Sequence, residues 1–352
     1  MARRRWIAPW KDSASKPAVY HVISRVVDRR FVFGAEQKEK FRALMRMTEK
    51  FSGCRVLSYC VMSNHFHILL EVPPRPSSPL ADEDLLKRLD VFYPGWKVRE
   101  VAAALEQARA RRDEKEAGRI RERYFYRMHD LSEFMKMLLQ RFSSWFNRTH
   151  QRTGRLWEQR FKSALVEDGM AARTMAAYID LNPVRAGICE DPADYRWSSY
   201  GEAVAGGRKA RAGLVRALRG HQGNPGTARG WAQGGLAKQY RAILLGKGTE
   251  VRVEGKVKRK GMTAEKAERE LEEMERRERD LRISKVIRHR VRYFTDGAVI
   301  GGRGFVDEVF RGCREFFGPK RKDGARKPRG ALGELAGEVW SARDLRVDTG
   351  SG

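Results

Sequence analysis

Residues 55–72 read RVLSYCVMSNHFHILLEV. β-Branched and aromatic residues crowd both ends of the run, while Met62-Ser63-Asn64 interrupts it with the small polar residues that favour turns. The spacing predicts two strands joined by that break. Side chains two apart in a strand share a face, so His65 and His67 project together and Phe66 points to the opposite layer. The run Ile68-Leu69-Leu70 that follows is apolar and fixes the second strand inside a core.

The pattern extends in both directions. Residues 19–27, VYHVISRVV, read as another strand. Residues 35–52 place Phe41, Leu44, Met45, Thr48 and Phe51 at helical spacing, with Gly53 as the residue that closes the helix. Prolines 73, 74, 76 and 79 stop the second strand of the pair. Residues 80–123 are helical and heavily charged, and read as an insertion on a more compact core. Residues 129–149 form an amphipathic helix that buries Phe134, Leu138, Phe142, Trp145 and Phe146. Residues 154–167 give a turn and a strand, and residues 169–187 a helix closed by Gly187, with Pro183 ending or bending it. The order β-α-β-β-α-β-α predicts an α+β fold: a small antiparallel sheet with helices on one face. Residues 1–16 read as a basic arm and 17–205 as the main domain. Residues 206–261, rich in Gly, Arg and Ala, read as a linker or loose subdomain. Residues 262–330 read as a basic helical C-terminal domain, built from a charged helix over 262–292 and a small helical unit with a Gly301-Gly302 turn. Such a turn between apolar helices is compatible with a helix-turn-helix. Residues 331–352 are a tail.

Composition narrows the partners. Lys plus Arg number 72 against 45 Asp plus Glu, a formal net charge of +27 on 352 residues, with 41% hydrophobic content to supply a core. A charge that large repels itself in a compact chain, and polyanions relieve it; nucleic acid is the first candidate. The cysteines 54, 60, 189 and 313 form no Cys-x-x-Cys pair, which argues against a zinc ribbon or a thioredoxin-like site. The basic start lacks a following apolar segment, and no run nears the ~18 apolar residues of a membrane span. The expectation is a cytoplasmic, nucleoid-associated protein with free thiols and no membrane partner.

His65 and His67 alone are a weak signal, since His-x-His pairs are more often ordinary buried histidines. Two adjacent imidazoles at a core edge cannot both be charged cheaply, and a bound cation would use their neutral lone pairs instead. A second segment adds weight: Tyr178 and Asn182, four apart in YIDLNPVRAG, share a helix face. Asn182 can offer a side-chain oxygen as a third ligand, with the Tyr178 phenol one turn away. Taken singly, Tyr178 also reads as a core tyrosine and Asn182 as a helix-end cap.

The runs YCVMSNHFHILLEV, FMKMLLQRFSSWFNRTHQRTGRLWEQRFKS and YIDLNPVRAGICEDPADYRWSSY occur in this order. Together they resemble the single-tyrosine HUH (IS200-like) transposases, and especially the REP-associated tyrosine transposases of bacteria. The resemblance covers roughly residues 17–200. It departs at Ser63, where many relatives carry Pro before Asn-His, in the charged insertion and in the extension after 205. It implies a ferredoxin-like sheet, Tyr178 as the nucleophile that forms a 5′-phosphotyrosine link, and a metal held by His65, His67 and Asn182. Magnesium or manganese is the ion such relatives use; the ligand types also admit zinc. The implied partner is single-stranded or hairpin DNA, with Arg25, Arg160, Lys162 and Arg185 as candidate phosphate contacts. Trp145, Phe146, Trp157, Phe161, Tyr195 and Trp197 interleave with arginines as base-stacking groups would, although Trp145, Phe146 and Trp197 read better as core. A monomer is favoured over a dimer. Three readings stay open: an active strand-transfer nuclease, a domesticated hairpin-DNA binder with little cleavage, and a nucleic-acid-binding protein whose histidines are structural.

Overall fold

A computed structural model describes residues 7–12, 16–78, 80–221, 227–247, 251–253, 256–259, 294, 298–326 and 340–343. Strand β1 (Ala18–Arg25) leads through helix α1 (Ala35–Ser52) to strands β2 (Arg55–Val61) and β3 (His65–Val72). Three helices follow, α2 (Asp82–Phe92), α3 (Gly95–Ala110) and α4 (Glu114–Phe125), and then α5 (Leu131–Thr149) and β4 (Lys162–Val166). Helix α6 (Met170–Asp180), the single turn α7 (Asn182–Arg185), α8 (Ser199–Val204), α9 (Arg208–Arg219) and α10 (Leu236–Lys247) complete this part. A separate hairpin pairs β5 (Val251–Val253) with β6 (Lys256–Arg259). Strand β7 (Val299–Gly301), helix α11 (Arg303–Gly312) and strand β8 (Trp340–Ser341) come last.

The main sheet runs β2-β3-β1-β4-β7-β8. Its first four strands are antiparallel neighbours, with Ala18 opposite Val72, Arg25 opposite His65 and Ile23 opposite Lys162 of β4. That order, reached through two helical crossovers, is the ferredoxin-like β-α-β-β-α-β arrangement expected from the sequence. The break at 62–64 becomes a tight connection in which Met62 donates its N–H to the His65 carbonyl. Gly53 takes the left-handed conformation (φ 73°) that closes α1. At the other crossover, the Asp130 side chain caps α5 by accepting from the Glu133 N–H.

Alternation along the strands divides the core in two. Tyr20, Val22, Phe66, Ile68 and Leu70 face α1 and α5, meeting Phe41, Met45, Phe134, Leu138 and Phe142. Phe66 is fully buried there with its ring centre 4.5 Å from that of Phe41, a burial worth roughly 1.5–3 kcal/mol. Val19, Leu57, Leu69, Ala164 and Val166 face the opposite way, against α6 and α9. Helices therefore cover both faces of the sheet rather than one. The one-face expectation holds for α1 and α5; the helices after β4 cover the second face, which is why β3 is apolar on both sides.

The stretch expected to be a linker is tightly packed where it is described. Small residues bring α9 down onto β2: a Cβ on Gly213 would stand 2.4 Å from the Val56 carbonyl oxygen and 2.8 Å from that of Leu57. Arg216 of α9 is buried, ion-paired with Glu71 of β3 and bonded to Asp168 at 2.9 and 3.1 Å. A composition rich in Gly, Ala and Arg thus reflects close helix-to-strand contact and a buried ion cluster, not slackness. The Gly301-Gly302 turn also differs from expectation. It follows a strand, β7, which lies parallel to β4 with Leu165 opposite Val299, so a strand leads directly into the turn where a helix-turn-helix would have a helix. Ala298, Val299 and Ile300 are a short apolar run, and an open edge at β4 absorbs it. The charged helix expected over 262–292 lies outside the described residues.

Residues 82–125 fold as three helices around their own apolar cluster, with Leu85, Leu89, Val101, Leu105 and Ile120 packed against Phe51 of α1. The buried Asp82 at the start of α2 holds Arg109 at 2.7 Å and Arg121 at 2.6 Å. No helix among the described residues is long and apolar enough to cross a membrane.

Candidate active site

His65 and His67 open β3 on the face covered by α6. Their ring centres are 5.1 Å apart. The antiparallel register sets Arg25 opposite His65, Ile23 opposite His67 and His21 opposite Leu69. His21 is thus the diagonal neighbour of His67 on the same face. The two rings stack, with centres 5.2 Å apart and 11° between planes, and His21 Nε2 lies 3.0 Å from His67 Nδ1. His21 Nδ1 is 2.8 Å from the Phe294 carbonyl oxygen. His65 Nδ1 is 2.7 Å from Asn64 Oδ1.

Tyr178 reaches this cluster from α6. Its ring centre lies 5.9 Å from that of His67 and 6.0 Å from that of His21, edge-on to both. Phe294 stacks on it at 4.5 Å, and the residue is only 2% exposed. Helix α6 ends at Asp180, and Pro183 lies in the first positions of the following turn α7, the break expected near that proline. The turn begins with Asn182, whose side-chain N–H groups donate to the Tyr178 and Ile179 carbonyls, both at 3.1 Å. Those bonds cap α6 and employ only the amide nitrogen, so the amide oxygen takes no part in them. Arg185 donates to the Tyr178 carbonyl and sets its guanidinium 4.2 Å from the Tyr178 ring centre. The guanidinium thus lies over the tyrosine ring.

The three histidines are neutral at physiological pH. Burial lowers His21 to about 4, partly opposed by its bond to the Phe294 carbonyl. Burial and the nearby Arg25 lower His65 to about 4. His67 is held well below the usual histidine range by burial first, then by His65, His21, Arg185 and Arg25. A neutral imidazole keeps one lone pair, the form in which it ligates a metal. Asn64 donates its amide N–H to the Arg29 carbonyl at 2.9 Å, so its oxygen faces His65 and accepts from Nδ1–H. His65 Nε2 then carries the lone pair. Among the described residues no group of three or more His, Cys, Asp or Glu side chains is arranged to hold a metal; His21 is committed on both ring nitrogens. Two imidazoles therefore need a donor of another type, and the Asn182 amide oxygen is chemically suited to that place. Such a nitrogen-and-oxygen set fits magnesium, manganese or zinc.

Arg25 and Lys162 are exposed at the same end of the sheet, and the register puts both on the histidine face. Arg160 is exposed on the loop before β4. Of the aromatic residues, Phe146, Phe161 and Tyr195 are buried, and Trp145, Trp157 and Trp197 are packed partly buried against the cores. Sequence reasoning missed His21 and Phe294. A histidine on the inward-facing register of a strand as apolar as residues 19–27 was the available signal for the first. Nothing local marks Phe294, which arrives from 273 positions beyond His21.

No curated protein matches the chain. Among solved structures, a REP-associated tyrosine transposase bound to a REP hairpin aligns with 14% identity and a TM-score of 0.36, covering 59% of this chain and 86% of that one. Residues 14–79, the segment that carries His21, His65 and His67, match the family described as IS200-like transposases, the family that the sequence motifs resemble.

Proposed function

We propose that the protein is a divalent-metal-dependent nuclease and strand transferase acting on single-stranded DNA, presented as a hairpin, with Tyr178 as its nucleophile. The observation that carries this reading is the meeting of His65, His67 and Tyr178 on one sheet face, brought there from β3 and α6. The family match over residues 14–79 and the net charge of +27 support it. His65 and His67 through Nε2, with the Asn182 side-chain oxygen, would hold the cation. Bound there, it would supply Lewis-acid polarisation of a phosphoryl oxygen and offset developing negative charge. The Tyr178 phenol oxygen forms a bond to the scissile phosphorus while the bond from phosphorus to O3′ breaks. Overall one proton passes from the phenol to the departing 3′-hydroxyl. The resulting 5′-phosphotyrosine ester keeps the phosphodiester's energy, so another 3′-hydroxyl can reverse the step and join strands. Arg185, over the tyrosine ring, favours the phenolate. Arg25, Arg160 and Lys162 track the phosphates.

The test is covalent capture of a single-stranded hairpin oligonucleotide, read as a protein–DNA adduct on a denaturing gel. Tyr178→Phe abolishes the adduct and leaves binding intact; undiminished cleavage by that variant refutes the mechanism. The burial of Tyr178 beneath Phe294 favours a second reading, a hairpin-DNA binder with little cleavage. That reading expects wild-type binding with no adduct at any divalent-metal concentration.

A further inference from the structure

We propose that His21 is a positioning residue that fixes the tautomer of His67, so that His67 keeps its Nε2 lone pair for the metal. This rests on the reading of His65 and His67 as metal donors. The Phe294 carbonyl can only accept a hydrogen bond. His21 Nδ1, 2.8 Å away, must therefore carry the hydrogen. A neutral His21 then has its lone pair on Nε2, and that atom faces His67 Nδ1 at 3.0 Å. His67 must supply the hydrogen of this bond, which leaves its own Nε2 bare. The opposite arrangement, with His21 donating through both nitrogens, needs a buried imidazolium. His21 is 1% exposed, and a charged ring there would lie out of water with only a carbonyl and a second imidazole as its hydrogen-bond partners.

Asn64 does for His65 what His21 does for His67. Its oxygen accepts from His65 Nδ1 and likewise leaves Nε2 bare. Two different partners on two different strands thus set both histidines to the same tautomer. A third histidine beside the pair, which at first resembles an extra ligand, is thereby assigned to orientation. Partners of this kind behind a ligating histidine typically change metal affinity by roughly 10–100-fold.

Two measurements on the full chain, without DNA, test this. The first is the His67 tautomer in the metal-free protein, read from long-range proton–nitrogen NMR correlations. The second is Mn2+ affinity, read by electron paramagnetic resonance of the free ion. The expected tautomer carries hydrogen on Nδ1 of His67. Replacing His21→Leu removes the acceptor and weakens Mn2+ binding by about tenfold or more. His21→Gln, whose side-chain oxygen can accept from His67 and whose amide can donate to Phe294, keeps binding close to wild type. Wild-type protein with hydrogen on His67 Nε2 overturns the assignment, and so does His21→Leu with unchanged Mn2+ affinity. Should His21→Leu fail to fold, the wild-type tautomer and His21→Gln decide. Absence of Mn2+ binding by wild type overturns the metal reading itself, and with it this role of His21. The two failures are therefore distinguishable.

Discussion

His129 sits in the left-handed backbone region (φ 54°) next to the end of α1, and neither of its buried ring nitrogens has a hydrogen-bond partner among the described residues. Burial, with Arg88 and Arg75 nearby, pushes it down to about 4. In the unfolded chain it takes a proton near pH 6.5. Between those values the unfolded state binds more protons, so this residue withdraws stability as pH falls from 6.5 towards 4. Asparagine tolerates the same backbone conformation and does not titrate. The urea midpoint of His129→Asn therefore falls less between pH 7.5 and 5 than that of wild type. Equal falls would show that His129 contributes nothing to the acid sensitivity. Contacts at this scale explain which site residues could be read from sequence. His65 with His67, and Tyr178 with Asn182, are local pairs, fixed by the two-residue period of a strand and the four-residue spacing of a helix. His21 depends on strand register and Phe294 on the chain's return from far downstream, and no local period encodes either. Arg185 illustrates the converse limit: sequence marks it as a cation beside Tyr178, but only the structure shows it covering the tyrosine ring.

Among the elements, α9 separates composition from packing. Residues 206–235 are rich in Gly, Arg and Ala, yet Ala210, Leu214, Val215, Ala217 and Leu218 are buried. The helix comes close enough to β2 that Gly213 has carbonyl oxygens where a Cβ would be. Helix propensity favours Gly213→Ala by about 1 kcal/mol in an exposed helix. Here the clash is with strand backbone, which cannot rotate aside, and overpacking of this kind costs roughly 1–3 kcal/mol. The two effects oppose each other, and the contact wins because two carbonyls must shift together. Gly213→Ala is expected to lower the free energy of unfolding in a denaturant titration, whereas a loose subdomain would be stabilised by the same change. The strand–helix order of the central unit was legible because each element has a clean period and a definite stop, such as Gly53 or the prolines after Val72. The covering of the second sheet face and the addition of β7 were not. Both depend on which exposed apolar surface the later chain finds, a property of the assembled sheet and not of any segment.

For the molecule as a whole, the excess of 27 positive charges must be divided between those available to a polyanion and those already engaged. Arg216 is buried against Glu71 and Asp168, Arg46 is paired with Glu49 and Glu202, and Arg241 with Asp191. These cations stabilise the fold and release no counterions when DNA arrives. Arg25, Arg160 and Lys162 are exposed around the histidine end of the sheet. Each phosphate neutralised on a single strand contributes about −0.7 to the slope of log affinity against log salt concentration. Joint replacement Arg25→Ala and Lys162→Ala should therefore make that slope shallower by about 1.4, if each side chain meets one phosphate. Fluorescence anisotropy of a labelled hairpin oligonucleotide across a salt series measures it. Arg185→Ala is the contrasting control, since its guanidinium lies on Tyr178: it should reduce covalent capture while leaving the salt slope unchanged. An unchanged slope in the double variant, or a shallower one in Arg185→Ala, would move the DNA path away from the mouth of the histidine cluster. The first result places the phosphates on another basic surface; the second brings them down onto the tyrosine's own arginine.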